Sequence, residues 1–349
     1  MCLDYFGLFR NPIALVDLYL EPNKVFLCLS CGEPLGPAPF GWENKATIPG
    51  DYSAFYPTAL GPKGLYSIGV TQAGYRRLVT FDGSSFDVDY QTPTRDDFIT
   101  GVSFVAGTGF MGVALRNYPE GHRATLLQVR DGEWAEILEI PEFEEFCILS
   151  AIDAKSCWLL SRRPNGRYEI AKYEDGRLNI IRPMVGHYFA GYSAKTNTFY
   201  AFTSEAGDMM ISGDGGDSWC NEKMAVPPGY KLAEITYVSA SPEGLYITAN
   251  VIAADLKYGA IIKRTGPAGE GVYELSYLGW VGPGVMRIDE CAFRDADHGM
   301  AVGLGASLYY DAPDWVREPV DPLSRIGYLT PDPLGGYWAI YEGAIVWHP

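Results

Sequence analysis

Cys28 and Cys31 are the one pair in this sequence with the spacing of a metal or redox site. A zinc site needs four ligands, and neither a second CxxC nor a paired histidine stands at normal spacing from this one. His122, His187, His298 and His348 are scattered. Seven cysteines is an odd count, which does not suggest a disulfide framework. Cys147, Cys157 and Cys291 fall in apolar, strand-like runs and read as small buried hydrophobes. Carboxylates cluster at Asp96-Asp97, at Glu142, Glu144 and Glu145, and at Asp289-Glu290. General acid–base chemistry needs two such groups in unlike environments. Adjacent acids in a chain of strands and loops face different ways or face water, so these read as solvated loops. G-x-S-x-G, H-E-x-x-H and Walker patterns are absent. Gly213, Gly215 and Gly216 have the composition of a phosphate cradle, but the sequence after them is not helical, and a hairpin turn is the better reading. The sequence therefore predicts no catalytic residue, no metal site and no cofactor.

The elements that would carry any site are strands. Tyr (24), Phe (16) and Trp (8) are abundant and favour strands, while Gly (40) and Pro (24) punctuate turns. A chain of 349 residues exceeds the length at which one compact core stops growing, roughly 250–300 residues. A core distributed around a ring of repeats resolves this. The repeat is a hairpin of two short apolar runs. It is seen at Ile13–Leu20 with Lys24–Cys28, and again around Pro62-Lys63-Gly64 before Leu65–Val70. Further copies turn near Gly107, Ala154, Lys195, Pro242, Asp297 and Leu334. Second hairpins follow, turning at Asp82-Gly83, Asp131-Gly132, Asp175-Gly176 and Asp214-Gly215. Asp-Gly tolerates the positive φ that tight hairpins require. Turns about 40 to 55 residues apart match four-stranded propeller blades.

The sequence thus predicts an all-β propeller of four-stranded antiparallel blades, one domain over residues 1–349. Eight first hairpins favour eight blades. The last copy ends after three strands at Gly343–Pro349, and Leu3–Phe9 is expected to supply the fourth and close the ring. The alternative is seven blades: if the Gly- and Pro-rich stretch Gly32–Pro49 is irregular, the N-terminal region merges with the last copy.

Ser212-Gly213-Asp214-Gly215-Gly216-Asp217-Ser218-Trp219 matches the pattern S-x-D-x-G-x-[ST]-W, and Phe293–Gly303 is similar to the hairpin that accompanies it. The chain resembles the BNR/Asp-box propellers, a class that includes sialidases, sortilin-type receptors and the photosystem II assembly factor family. The resemblance covers the repeat pattern along most of the chain. It implies a structural role for Ser212, Asp214, Gly216 and Trp219: the Asp carboxylate accepts backbone N–H groups of the turn and the Trp packs on the blade. A sialidase would also need a converging arginine triad, drawn here from Arg76, Arg77, Arg116, Arg162, Arg163, Arg264, Arg287 and Arg325. The Phe-Arg-Ile-Pro motif of that family is matched only by Phe9-Arg10-Asn11-Pro12, which lacks the Ile.

Net charge is −16 and the isoelectric point about 4.7, so a basic nucleic-acid footprint is excluded for the chain as a whole. No apolar run approaches the roughly 20 residues of a membrane span, and Met1–Arg10 lacks the pattern of a leader, so a cytoplasmic location is expected. The functional expectation is a non-enzymatic propeller that binds a basic protein, with Trp42, Tyr56 and Tyr310 as candidate contacts because aromatic side chains anchor interfaces. A cytoplasmic bacterial immunity protein neutralising a basic toxin domain is its concrete form. A glycan-binding or glycoside-hydrolysing propeller and an assembly-factor scaffold are the alternatives.

Overall fold

The computed structural model describes residues 38–349, except 106–107, 119–120, 141, 185–188, 194–195, 203–206, 281–286, 321–324 and 333. The expected hairpin at Ile13–Cys28, the CxxC and the segment Leu3–Phe9 lie outside the described residues. The chain forms four-stranded antiparallel sheets, each wound in simple chain order from first strand to fourth. Six are continuous in sequence: blade 1 (52–91), blade 2 (98–140), blade 3 (145–184), blade 4 (189–223), blade 5 (231–280) and blade 6 (287–317). Blade 7 joins Ile326–Pro331, Tyr337–Tyr341 and Ala344–His348 to Glu43–Thr47. The fold is an all-β propeller with seven blades among the described residues, not the eight that the hairpin count favoured.

The correction has a local cause. Glu43–Thr47 runs antiparallel to the last strand, pairing Glu43 with Trp347, Asn44 with Val346, Ala46 with Ile345 and Thr47 with Ala344. An N-terminal strand does complete the last blade, as expected. The strand in that position is Glu43–Thr47, so the Gly- and Pro-rich stretch contributes, among its described residues, a strand of the last copy and not an outer hairpin.

Strand composition follows position. Second strands are buried on both faces and are mostly apolar, as in Gly64–Thr71 and Ser156–Arg162, where Ser67 and Ser161 are buried among the apolar residues. Fourth strands lie at blade edges and alternate or turn polar, as in Phe86–Gln91 and Arg177–Met184. Two of the four Asp-Gly turns have positive φ at both residues, Asp131 (53°) with Gly132 (85°) and Asp175 (47°) with Gly176 (83°), while at Asp82-Gly83 and Asp214-Gly215 the glycine alone is positive.

The described residues group into two compact units, Ile48–Ala190 and Gly191–Pro349 with residues 38–47. Within each, the core lies between successive blades. Tyr66, Ile68 and Leu78 of blade 1 pack on Met111, Val113 and Leu127 of blade 2. In the other unit, Tyr246 and Ile261 of blade 5 meet Phe293, Leu308 and Tyr310 of blade 6. A threonine hydroxyl pins neighbouring first strands in both units: Thr100 donates to the carbonyl of Phe146, and Thr236 donates to that of Ile288 at 2.9 Å. Gly112 is required at the first of these crossings, because a Cβ there would lie 1.8 Å from the same Phe146 oxygen.

Candidate interaction face

In a blade wound this way, the turns between strands 1 and 2 and between strands 3 and 4 fall at the same end. In the unit of blades 4 to 7 this end is acidic. Its described turn residues include Asp214 and Asp217 (blade 4), Glu243 and Glu270 (blade 5), Asp295 and Asp297 (blade 6) and Asp332 (blade 7). Asp311 and Asp314 flank the remaining blade 6 turn and are exposed. Among the described residues of these turns the base is Arg294, which pairs with Asp295 at 3.2 Å. Glu243 is met by Lys263 from the adjoining strand at 2.5 Å. The same end of blades 1 to 3 is closer to balanced: its turns carry Asp82, Asp131 and Asp175 against Lys63 and Lys155, and the residues flanking them add Asp153, Glu133 and Glu174 against Arg130 and Arg177. Among the described turns at this end, the excess of carboxylates therefore lies in the unit of blades 4 to 7, with Leu334 (98% exposed), Val272 and Val316 as apolar points beside it.

Asp214 shows how these turns are built. Its Oδ1 accepts the hydroxyl of Ser212 at 2.7 Å and the backbone N–H of Ser218 at 3.0 Å, and its Oδ2 accepts the Ser218 hydroxyl. The Ser212 hydroxyl oxygen accepts the N–H of Gly216 (2.8 Å), and Trp219 Nε1 donates to the Gly216 carbonyl (2.9 Å). Gly215 and Gly216 have φ of 77° and 100°, where side chains are strained. The Ser218 and Ser212 hydrogen bonds hold the Asp214 carboxyl well below the usual carboxylate range. A depressed folded pKa contributes stability above the unfolded value, roughly 3.9, that is lost as pH falls. Asp214→Ala is accordingly expected to lower the melting temperature at pH 7, with the gap to the parent narrowing below about pH 4. Thermal melts at the two pH values check this, and a gap of constant size would show that the carboxylate does not organise the turn.

The aromatic residues expected at the surface are placed differently. Trp42 is 6% exposed. Its Nε1 donates to Ser307 Oγ (3.1 Å), Ser307 Oγ donates to Glu318 Oε2 (2.7 Å), and Glu318 Oε1 meets His348 Nε2 at 2.8 Å. Trp42 immediately precedes the strand that completes blade 7, and its indole wedges between blades 6 and 7. Tyr310 is 4% exposed, enclosed by Phe293, Tyr246 and Trp315 with ring centroids 5.0–5.8 Å apart. Tyr56 is half-buried against the core between blades 1 and 2. These positions belong to the blade cores, and Trp42 and Tyr310 leave little surface to a partner.

The paired acids depart from expectation in part: Asp96 and Glu142 are exposed, as solvated loops require, and their neighbours are not. Asp97, Glu145, Asp289 and Glu290 are buried, each at or near the start of a first strand. Asp97 accepts the N–H groups of Thr94 (2.8 Å) and Arg116 (2.9 Å). Asp289 lies 2.7 Å from Arg287 Nε and 2.7 Å from Arg325 Nη2, and Arg287 reaches Glu234 at 3.2 Å. Glu290 accepts the N–H groups of Tyr328 and Leu329. Several of the arginines a sialidase triad would draw on are committed to carboxylates: Arg162 to Glu144, Arg163 to Glu169, Arg264 to Glu222, and Arg287 and Arg325 to Asp289. Arg76 and Arg116 instead hold their guanidinium groups 4.5 and 4.8 Å from the Phe98 ring. Burial pushes the thiols of Cys147, Cys157 and Cys291 up, which disfavours the reactive thiolate.

Blades, closure and turn chemistry together define the class, a β-propeller of seven four-stranded blades. No protein-family model matches the chain, and no curated protein does. Among solved structures it is similar to YCF48 bound to a D1 peptide, with a TM-score of 0.60 and 14% identity over 90% of this chain and 98% of that one. It is similar to a streptogramin B lyase, with a TM-score of 0.57 and 13% identity over 88% and 96%. It is also similar to Chaetomium thermophilum Sqt1 bound to the N-terminus of ribosomal protein L10, with a TM-score of 0.51 and 11% identity over 85% and 83%. At these identities the likeness is one of fold, which by itself carries binding proteins and enzymes alike.

Proposed function

We propose that this chain is a non-enzymatic, protein-binding propeller whose acidic turn end on blades 4 to 7 receives a basic protein partner. The observation that carries the reading is the asymmetry of charge: at the same end of the blades, carboxylates dominate the turns of one unit and are closer to balanced in the other. A surface of one sign steers an oppositely charged partner and raises its association rate. Two solved propellers of this fold hold peptide or protein segments, the D1 peptide on YCF48 and the L10 N-terminus on Sqt1. The concrete form of the proposal is a cytoplasmic immunity protein that neutralises a basic toxin domain, consistent with a net charge of −16.

The test uses the protein encoded next to this chain, purified and immobilised. A basic partner is expected to associate at least several-fold more slowly at physiological than at low salt. Replacing Asp217, Asp297 and Asp314 together by Lys should slow association further and leave the melting temperature near that of the parent, since all three are exposed. Association indifferent to salt and to this triple variant overturns the reading. So does turnover of aryl-glycosides or sialosides by the purified chain, abolished by one Arg or Tyr substitution that leaves it folded.

A further inference from the structure

We propose that the cavity between blades 1 and 2 binds a primary alkylammonium group. This site stands apart from the acidic turn end: it lies in the other unit, at the opposite end of its blades, under the segment that leads from blade 1 into blade 2. Its volume is about 180 Å³. An apolar cavity of about 150 Å³ accepts benzene, so there is room for a ligand of that bulk. Its lining is split. Val113, Leu115 and Leu127 form an apolar wall from the second and third strands of blade 2. Tyr90, Thr94, Asp97, Thr125 and Glu136 supply the polar atoms.

Three features of that polar set point to a cationic donor. First, Thr125 is 3% exposed, and its hydroxyl has no hydrogen-bond partner among the described residues, nor has that of Thr94. Buried hydroxyls are rarely left unmet, and each can accept from a ligand N–H. Second, every polar side chain of the lining is a hydroxyl or a carboxyl, and lysine, arginine and histidine are absent from it. The set is rich in acceptors, and an ammonium group brings three donors and no acceptor. Third, the local charge is only partly compensated. Burial raises the Glu136 carboxyl above its ordinary pKa, Glu139 pushes it further the same way, and Arg123 opposes both while itself paired with Glu139. Burial, with Asp97 and Glu136 nearby, pushes the Tyr90 phenol up to about 12, so it remains a neutral hydroxyl at pH 7. An ammonium head among these groups with a short hydrocarbon stem along the valine and leucines satisfies both halves of the lining.

The test follows the methyl resonances of Val113, Leu115 and Leu127 in the full chain during titration at pH 7 with n-butylammonium chloride, and separately with n-butanol. Saturable shifts are expected with butylammonium, with affinity at least ten-fold above that of butanol and at least ten-fold weaker in Glu136→Gln. Thr125→Val, which keeps side-chain shape, should weaken it several-fold. Butanol binding as tightly as butylammonium would make this a plain apolar cavity and overturn the proposal. So would butylammonium affinity unchanged in both variants, or the absence of any saturable shift at millimolar concentration. A blocked Gly-Lys-Gly peptide assigns the source of the group. Competition with butylammonium makes it a lysine side chain, and failure to compete makes it a free amine.

Discussion

Removal of the chain up to and including Thr47 is expected to abolish the cooperative thermal transition and leave a protein that aggregates. Glu43–Thr47 is the fourth strand of blade 7 and covers the edge of Ala344–His348. That strand is apolar and buried at Ala344, Ile345 and Val346. Once uncovered it presents unpaired N–H and C=O groups beside hydrophobic side chains, a template for pairing with another chain. The truncation also removes Trp42, and with it the hydrogen-bonded series through Ser307 and Glu318 to His348. Trp42→Ala is the graded form of the same experiment. Loss of a buried indole costs about 3–5 kcal/mol, and the Ser307–Glu318–His348 series is left without its donor. Size-exclusion chromatography and thermal melts decide the matter. A truncated chain that elutes and melts like the parent would show that blade 7 holds without its fourth strand.

What was legible in the sequence follows from what local chemistry can encode. The Asp-Gly turns were readable because positive φ restricts residue choice, and the inner strands were readable because burial on both faces demands mostly apolar runs. The closing strand was not. Glu-Asn-Lys-Ala-Thr at residues 43–47 is an edge strand whose first three residues are exposed, so neither apolar alternation nor β-branched enrichment marks it. Its identity depends on a partner some 300 residues away in the sequence, which no local pattern records. Trp42 and Tyr310 were misplaced for a related reason. Aromatic residues beside Gly and Pro look like loop tips, yet here they stand next to turns and fill the space between blades. The buried acids Asp97 and Asp289 show the converse error. Adjacent carboxylates usually mean a solvated loop, but at the start of a first strand they are met by backbone N–H groups or by arginines from the next blade. The feature that marks these acids is the apolar run that follows each pair, Phe98-Ile99 and Cys291-Ala292-Phe293, which fixes the acid at the mouth of a buried strand.

Glu222→Ala is expected to be among the most destabilising single substitutions in the unit of blades 4 to 7, costing about 3–5 kcal/mol, as breaking a buried ion pair does. Glu222 and Arg264 are 6% and 5% exposed in their side chains. The guanidinium is bidentate, with Nε 2.8 Å from Oε2 and Nη2 2.5 Å from Oε1. The same carboxylate accepts the Tyr273 hydroxyl and the Gly269 N–H, each at 2.7 Å, while Arg264 also donates to the carbonyls of Gly266 and Pro267. A residue on the edge strand of blade 4 thereby fixes the turn of blade 5 that bears Glu270, one of the acids of the candidate face. Burial alone would raise the Glu222 carboxyl, but the hydrogen bonds from Arg264, Tyr273 and Gly269 overcome it and hold the pKa below its ordinary value. The resulting stability is present above the unfolded pKa, roughly 4.3, and lost as pH falls through the folded one. Parent and Glu222→Ala should therefore differ most at neutral pH and converge in acid. Glu222→Leu combined with Arg264→Met should recover part of the loss, because it removes both buried charges and not one. Denaturant titrations at pH 7 and pH 3 measure all three. A single-variant cost below about 1 kcal/mol, the range of solvent-exposed pairs, would place this pair in water and release the turn from its control.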